Sequence, residues 1–154
     1  MSMLKRWMSM VVMLGLFMSG CGDSFKSSIP SVSISFSCSL SQSPYWRIYK
    51  APGQFLKVTH DVHNLSVGYA GLIIGQSIFS DGNTYAAFDA ACPVEAQRNV
   101  SIELLEDKIG QAECPQCHTV YNLNSNGAPI EGEGREYLKH YNVSVTGTTL
   151  RVYN

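Results

Sequence analysis

The sequence is poor in charge and carries no block of it. Charged residues make up 15% of the 154, and 11 Lys and Arg set against 12 Asp and Glu leave a formal net charge of −1. No basic stripe or run is present, which argues against nucleic acid as a partner. No segment has a long helical period, so a helical bundle is excluded. There is no Gly-x-Ser-x-Gly elbow and no phosphate-binding loop, and nothing suggests a paired-carboxylate site, so the usual signals of hydrolytic catalysis are missing. The apolar run at residues 7–18 falls short of the roughly 20 residues that a membrane-spanning helix needs.

What the N-terminus does have is a charged head, Lys5-Arg6, an apolar middle from Trp7 to Met18, and a small-residue exit, Ser19-Gly20-Cys21. This is the layout of a secretory signal. The Cys placed directly after small residues resembles a bacterial lipoprotein signal, which implies cleavage before Cys21, lipidation of that Cys, and a membrane-anchored protein outside the cytoplasm, on the periplasmic face or the cell surface. The expected organisation is a signal peptide at 1–20, a polar tether at 21–31 and one domain at 32–154, a length sufficient for a single core.

Within that domain the pattern is one of short strands. From Val32 to Leu40 apolar and serine positions alternate, as in a half-buried strand, and Cys38 falls on the apolar face as a small buried hydrophobe. Further runs follow at Trp46 to Tyr49, Phe55 to Thr59, Tyr69 to Ile74, and Ile78-Phe79 with Thr84 to Phe88 around an Asp81-Gly82 turn read as a hairpin. Val100 to Leu104 and Lys108 to Ala112 flank a Glu106-Asp107 turn. Val120 to Leu123 leads into Asn124 to Gly127, and Asn142 to Val145 pairs with Leu150 to Tyr153. Arg135 to Tyr141 is expected to make a short helical turn. Many short strands at close intervals predict an all-β sandwich or barrel.

Two Cys-Pro loops end apolar runs within this pattern, Cys92-Pro93-Val94-Glu95 and Cys114-Pro115-Gln116-Cys117-His118. A Cys-x-x-Cys turn offers two thiolates to one metal while backbone N–H groups point at the sulfurs, and Cys92 supplies a third sulfur from the other loop. In an oxidising compartment the same thiols compete for a disulfide. Three states are therefore open: a metal site of Cys92, Cys114 and Cys117 assisted by His118 or Glu95; a disulfide from Cys92 to Cys114 or Cys117; and unpaired thiols. His60 and His63 form a lone His-x-x-His beside Asp61, read as an exposed loop, and His140 is read as a surface residue.

The run Tyr85 to Pro93, then Cys114 to Leu123, then Asn126-Gly127-Ala128-Pro129-Ile130-Glu131-Gly132, with Leu138, Tyr141, Val143, Leu150 and Val152 behind them, resembles a Rieske 2Fe–2S domain. It is similar in particular to small lipoproteins of Bacteroidetes-type bacteria with altered ligands. The resemblance implies an all-β sandwich or barrel bearing a small two-loop cluster-binding subdomain, a one-electron carrier function, and a redox protein as partner. It carries over Cys92 and Cys114 as the two cysteine ligands. Val94 stands where the first His ligand belongs, and Cys117, with His118 one residue later, stands where the second belongs. The implied cofactor is thus a 2Fe–2S cluster of unusual ligation, or a single zinc or iron, or none; with none, the chain is a structural or binding lipoprotein whose loops are stapled by a disulfide. A Rieske oxygenase is disfavoured, since no residues remain for a catalytic iron domain.

Overall fold

Period-two alternation does in three dimensions what it does in the sequence. In the structure, a computed structural model that describes residues 25–154, β1 (Ser35–Ser39) buries Phe36 and Cys38 and turns its serines outward. The expected signal peptide 1–20, the lipidation site Cys21 and the first residues of the tether lie outside the described residues. Nine further strands follow: β2 (Phe55–Val58), β3 (Leu72–Gly75), β4 (Ala86–Asp89), β5 (Glu103–Leu104), β6 (Gln111–Glu113), β7 (Val120–Asn122), β8 (Ala128–Glu131), β9 (His140–Thr146) and β10 (Thr149–Tyr153). The expected all-β class holds: beyond these strands the chain forms only two short 3-10 turns among the described residues. Among the described residues no helix is long and apolar enough to cross a membrane.

Six strands form one antiparallel sheet in the order β1-β10-β9-β4-β3-β2. The sheet curls, because side chains from β1 (Phe36, Cys38), β10 (Leu150, Val152), β4 (Ala87) and β3 (Leu72, Ile74) meet in one core, closed by Leu40 and Ile48. The remaining strands make a four-stranded sheet, β5-β6-β7-β8. Between it and the opposite face of β3 and β4 lies a second core of Ile73, Phe88, Val100, Ile102, Ala112, Tyr121, Leu123 and Leu138, into which Cys92 and Cys114 are built. All four residues of β3 are buried. The unalternating run ending at Ile74 has this cause, since a strand with a core on each face has no reason to alternate.

Several elements differ from expectation. Tyr45–Ile48 is a 3-10 turn rather than a strand, with Ile48 as its buried anchor. Ile78 and Phe79 are not in a hairpin strand: β4 pairs with β3 through Gly75↔Ala86, and Phe79 lies 80% exposed in the long connection, where Asp81 accepts from the backbone N–H groups of Asn83 and Thr84. Arg135 to Leu138 forms no helical turn, and β8 was not anticipated because Pro129 sits inside it; β8 is an edge strand, where proline is tolerated. Finally, residues 25–31 do not hang free. Ile29 is buried, the Ser28 N–H donates to Glu136 Oε2 and its hydroxyl to the Pro93 carbonyl, and Phe25 stacks on His140.

Candidate metal centre

The first thiol loop begins where β4 runs out, and a buried carboxylate sets its course. Asp89 accepts hydrogen bonds from the backbone N–H groups of Tyr69, Ala70 and Ala91 and from the Tyr141 hydroxyl, so the chain leaves β4 pinned to a neighbouring loop and to β9. Four charge-assisted bonds offset the cost of burying that charge. Beyond it the Ala96 N–H donates to the Cys92 carbonyl, and the chain bends back to Val100 and Ile102 in the second core. The second loop is the tip of the β6–β7 hairpin. There the His118 N–H donates to the Cys114 carbonyl and the Cys114 N–H to the Thr119 carbonyl, each at 3.0 Å. A turn that tight needs one left-handed residue, and His118 takes that role with φ of 55°.

The two loops bring three sulfurs together. The Sγ atoms of Cys92, Cys114 and Cys117 all lie within 4.8 Å of one another, with Cys92 and Cys117 3.6 Å apart. Cys92 and Cys114 are fully buried, and Cys117 is half-buried. Cys92 Sγ lies 3.5 Å from the Tyr121 hydroxyl, and the Cys117 thiol donates to Thr119 Oγ1 at 3.3 Å, an oxygen that also accepts from the Gly134 N–H. Burial pushes the Cys114 thiol up to about 12. It also pushes Cys117 up, but hydrogen bonds from Thr119 and the neighbouring thiols outweigh burial and leave Cys117 below the ordinary thiol value. The half-buried edge of the triad therefore ionises more readily than Cys114.

The donor set discriminates among metal groups. With Zn–S or similar bonds of roughly 2.3 Å, tetrahedral ligand sulfurs stand about 3.8 Å apart. The 3.6 Å between Cys92 and Cys117 is close to that value, and the third sulfur, within 4.8 Å of both, gives the donor set of a single soft ion. A two-Cys, two-His cluster does not fit. Val94 has no donor atom and is 39% exposed, and His118 directs Nδ1 to Glu113 Oε1 at 2.9 Å, outside the sulfur group. Glu95 also lies outside that group. Cys117 and His118 part at the left-handed residue His118, whose ring pairs with Glu113 while Cys117 stays with the sulfurs.

The remaining sequence candidates stand apart from the sulfurs. Cys38 lies in the first core, where burial lifts its thiol to about 11. His60 and His63 are exposed, with His60 Nδ1 3.0 Å from Thr59 Oγ1 and the Asp61 carboxylate accepting from the His63 and Leu65 N–H groups. His140 is not a plain surface residue: it lies between Phe25 and Phe88, its Nε2–H donating to the Asn126 carbonyl at 2.8 Å, and burial lowers its pKa. Asp89, Thr119, Tyr121 and Gly134 escaped the sequence reading. Their partners are 2 to 52 residues away, and only the position of Asp89 at the end of an apolar run hinted at its role.

The ferredoxin of carbazole 1,9a-dioxygenase from Nocardioides aromaticivorans IC177 is similar, at 17% identity and a TM-score of 0.47, over 80% of this chain and 98% of that one. A complex of reduced oxygenase and oxidized ferredoxin in carbazole 1,9a-dioxygenase is similar at 18% identity and a TM-score of 0.44, over 79% of this chain and 91% of that one. No family model and no curated protein matches the chain.

Proposed function

We propose that the chain is a Rieske-like redox module that has exchanged the two-iron cluster for a single ion on Cys92, Cys114 and Cys117, and that it serves as a one-electron carrier. The observation that carries this reading is the convergence of three sulfurs within 4.8 Å of one another, one pair of them 3.6 Å apart. An iron held there would supply a one-electron couple. The chain's own contribution is to keep two ligands dry in the second core, to offer hydroxyls from Tyr121 and Thr119 to the sulfurs, and to leave Cys117 at the surface as the edge that a redox protein can approach. On the same reading the chain is lipid-anchored through Cys21 and works outside the cytoplasm.

Metal and acid-labile sulfide analysis of the chain purified without oxygen tests this. One iron per chain without sulfide is the expected result, and Cys114→Ala should lose it. Two irons with matching sulfide would restore the cluster, and absence of metal in every preparation would overturn the proposal. The 3.6 Å separation of Cys92 and Cys117 favours a second reading, a cluster-less binding or structural lipoprotein with these two residues joined as a staple.

A further inference from the structure

The three sulfurs differ in access. Cys117 is half-buried on the turn between β6 and β7, whereas Cys92 lies behind it, fully buried, at 3.6 Å between Sγ atoms. A disulfide bond is about 2.05 Å long, so these two atoms need to close by roughly 1.5 Å. Cys114 is buried as deeply as Cys92, so the 3.6 Å approach of Cys92 to Cys117 is what singles out Cys92 as the partner. Only one sulfur of the triad is thus open to an incoming molecule, and that one has a second sulfur directly behind it. This is the arrangement of an attacking and a resolving thiol.

We propose that the metal-free chain performs thiol–disulfide exchange, with Cys117 as the attacking thiol and Cys92 as the resolving thiol. The substrate class is a disulfide of a protein or small thiol. Cys117, having released its proton to solvent, attacks one sulfur of the substrate; the Cys117–substrate bond forms, the substrate's disulfide breaks, and its other sulfur leaves and takes up a proton. Cys92 then loses its proton and attacks Cys117 Sγ. The Cys92–Cys117 bond forms, and the second substrate sulfur leaves and is protonated. Two electrons pass from the dithiol to the substrate, and the reverse sequence oxidises a substrate dithiol. The proposal uses the sulfur placement on which the metal reading also rests, but it does not depend on a metal being bound.

The experiment uses the full chain, stripped with a chelator, reduced, desalted and exposed to oxidised glutathione, with disulfides assigned by peptide mass mapping. The wild type should end with a Cys92–Cys117 bond and no glutathione retained on Cys92, Cys114 or Cys117. Cys92→Ser should retain one glutathione, on Cys117, and Cys117→Ser should form neither bond nor adduct at residue 92. A bond from Cys114 in the wild type, an adduct first on Cys92 or Cys114, or three thiols left free would overturn the proposal. Far-UV circular dichroism checks the variants' fold, and the wild-type map decides the matter if a variant does not fold. A parallel run after loading with zinc separates the two readings. If no metal binds, zinc leaves the glutathione reaction unchanged and only the metal reading fails, whereas zinc protection with a wrongly placed bond in the stripped chain sinks the exchange alone.

Discussion

Gly134 shows how much of the site hangs on one small residue. A Cβ at this position would stand 2.5 Å from Thr119 Cγ2 and 3.3 Å from its Oγ1, the oxygen that receives the Cys117 thiol. Gly134→Ala should therefore displace Thr119 and weaken metal binding by about tenfold or more, as loss of an outer partner of a ligand commonly does; competition with a chromogenic chelator measures it. Asp89 acts one step further back. Asp89→Asn keeps the shape but presents an amide to four donors, and we expect a loss of about 2–4 kcal/mol in urea unfolding. Neither residue was legible in the sequence. The cysteines were, because their chemistry is written in their identity and spacing, whereas Gly134 and Thr119 matter only through a loop that returns from 15 residues away.

At the scale of the element, β9 begins with a histidine that makes the fold sensitive to pH. His140 opens the strand and is enclosed by Phe25, at 4.6 Å and nearly parallel, and by Phe88, edge-on at 4.9 Å. Burial lowers its pKa in the folded chain, the Asn126 carbonyl opposing only in part. The folded state thus holds the ring neutral at pH values where the unfolded chain binds a proton. This contribution to stability is fully present above about 6.5 and is lost as pH falls from there toward the folded pKa. The urea midpoint should accordingly fall between pH 7 and pH 5, and His140→Gln should flatten that slope; an unchanged slope would show that other groups set it. Strands such as β1, β9 and β10 were legible because one face of each meets solvent and imposes alternation. β8 was not, since its proline argues against a strand unless its edge position is known, and Ile78-Phe79 misled because two adjacent apolar residues look alike in a strand and in an exposed loop.

For the whole molecule, the decisive feature is that β3 and β4 are shared. Leu72, Ile74 and Ala87 face one core, and Ile73 and Phe88 face the other. The two sheets should consequently unfold together. Ile73→Ala should cost about 2–5 kcal/mol, and thiol accessibility of Cys38 in the first core should follow the same single transition as that of Cys92 in the second. Two separated transitions would show independent units. The sequence disclosed the all-β class and the two thiol loops, but a pair of cores with a common wall is a property of topology, and nothing in the local pattern of β3 distinguishes two cores from one thick one.

The clasp of Ser28 on Pro93 has a practical side. The chain joins the domain beside the first thiol loop, so a fusion partner, resin or electrode attached upstream of residue 25 is leashed to the sulfur-bearing end of the molecule. For voltammetry that is the favourable orientation, with the sulfurs kept close to the conductor. For capture of a soluble partner it is the wrong one, since the bead then crowds the surface the partner must reach.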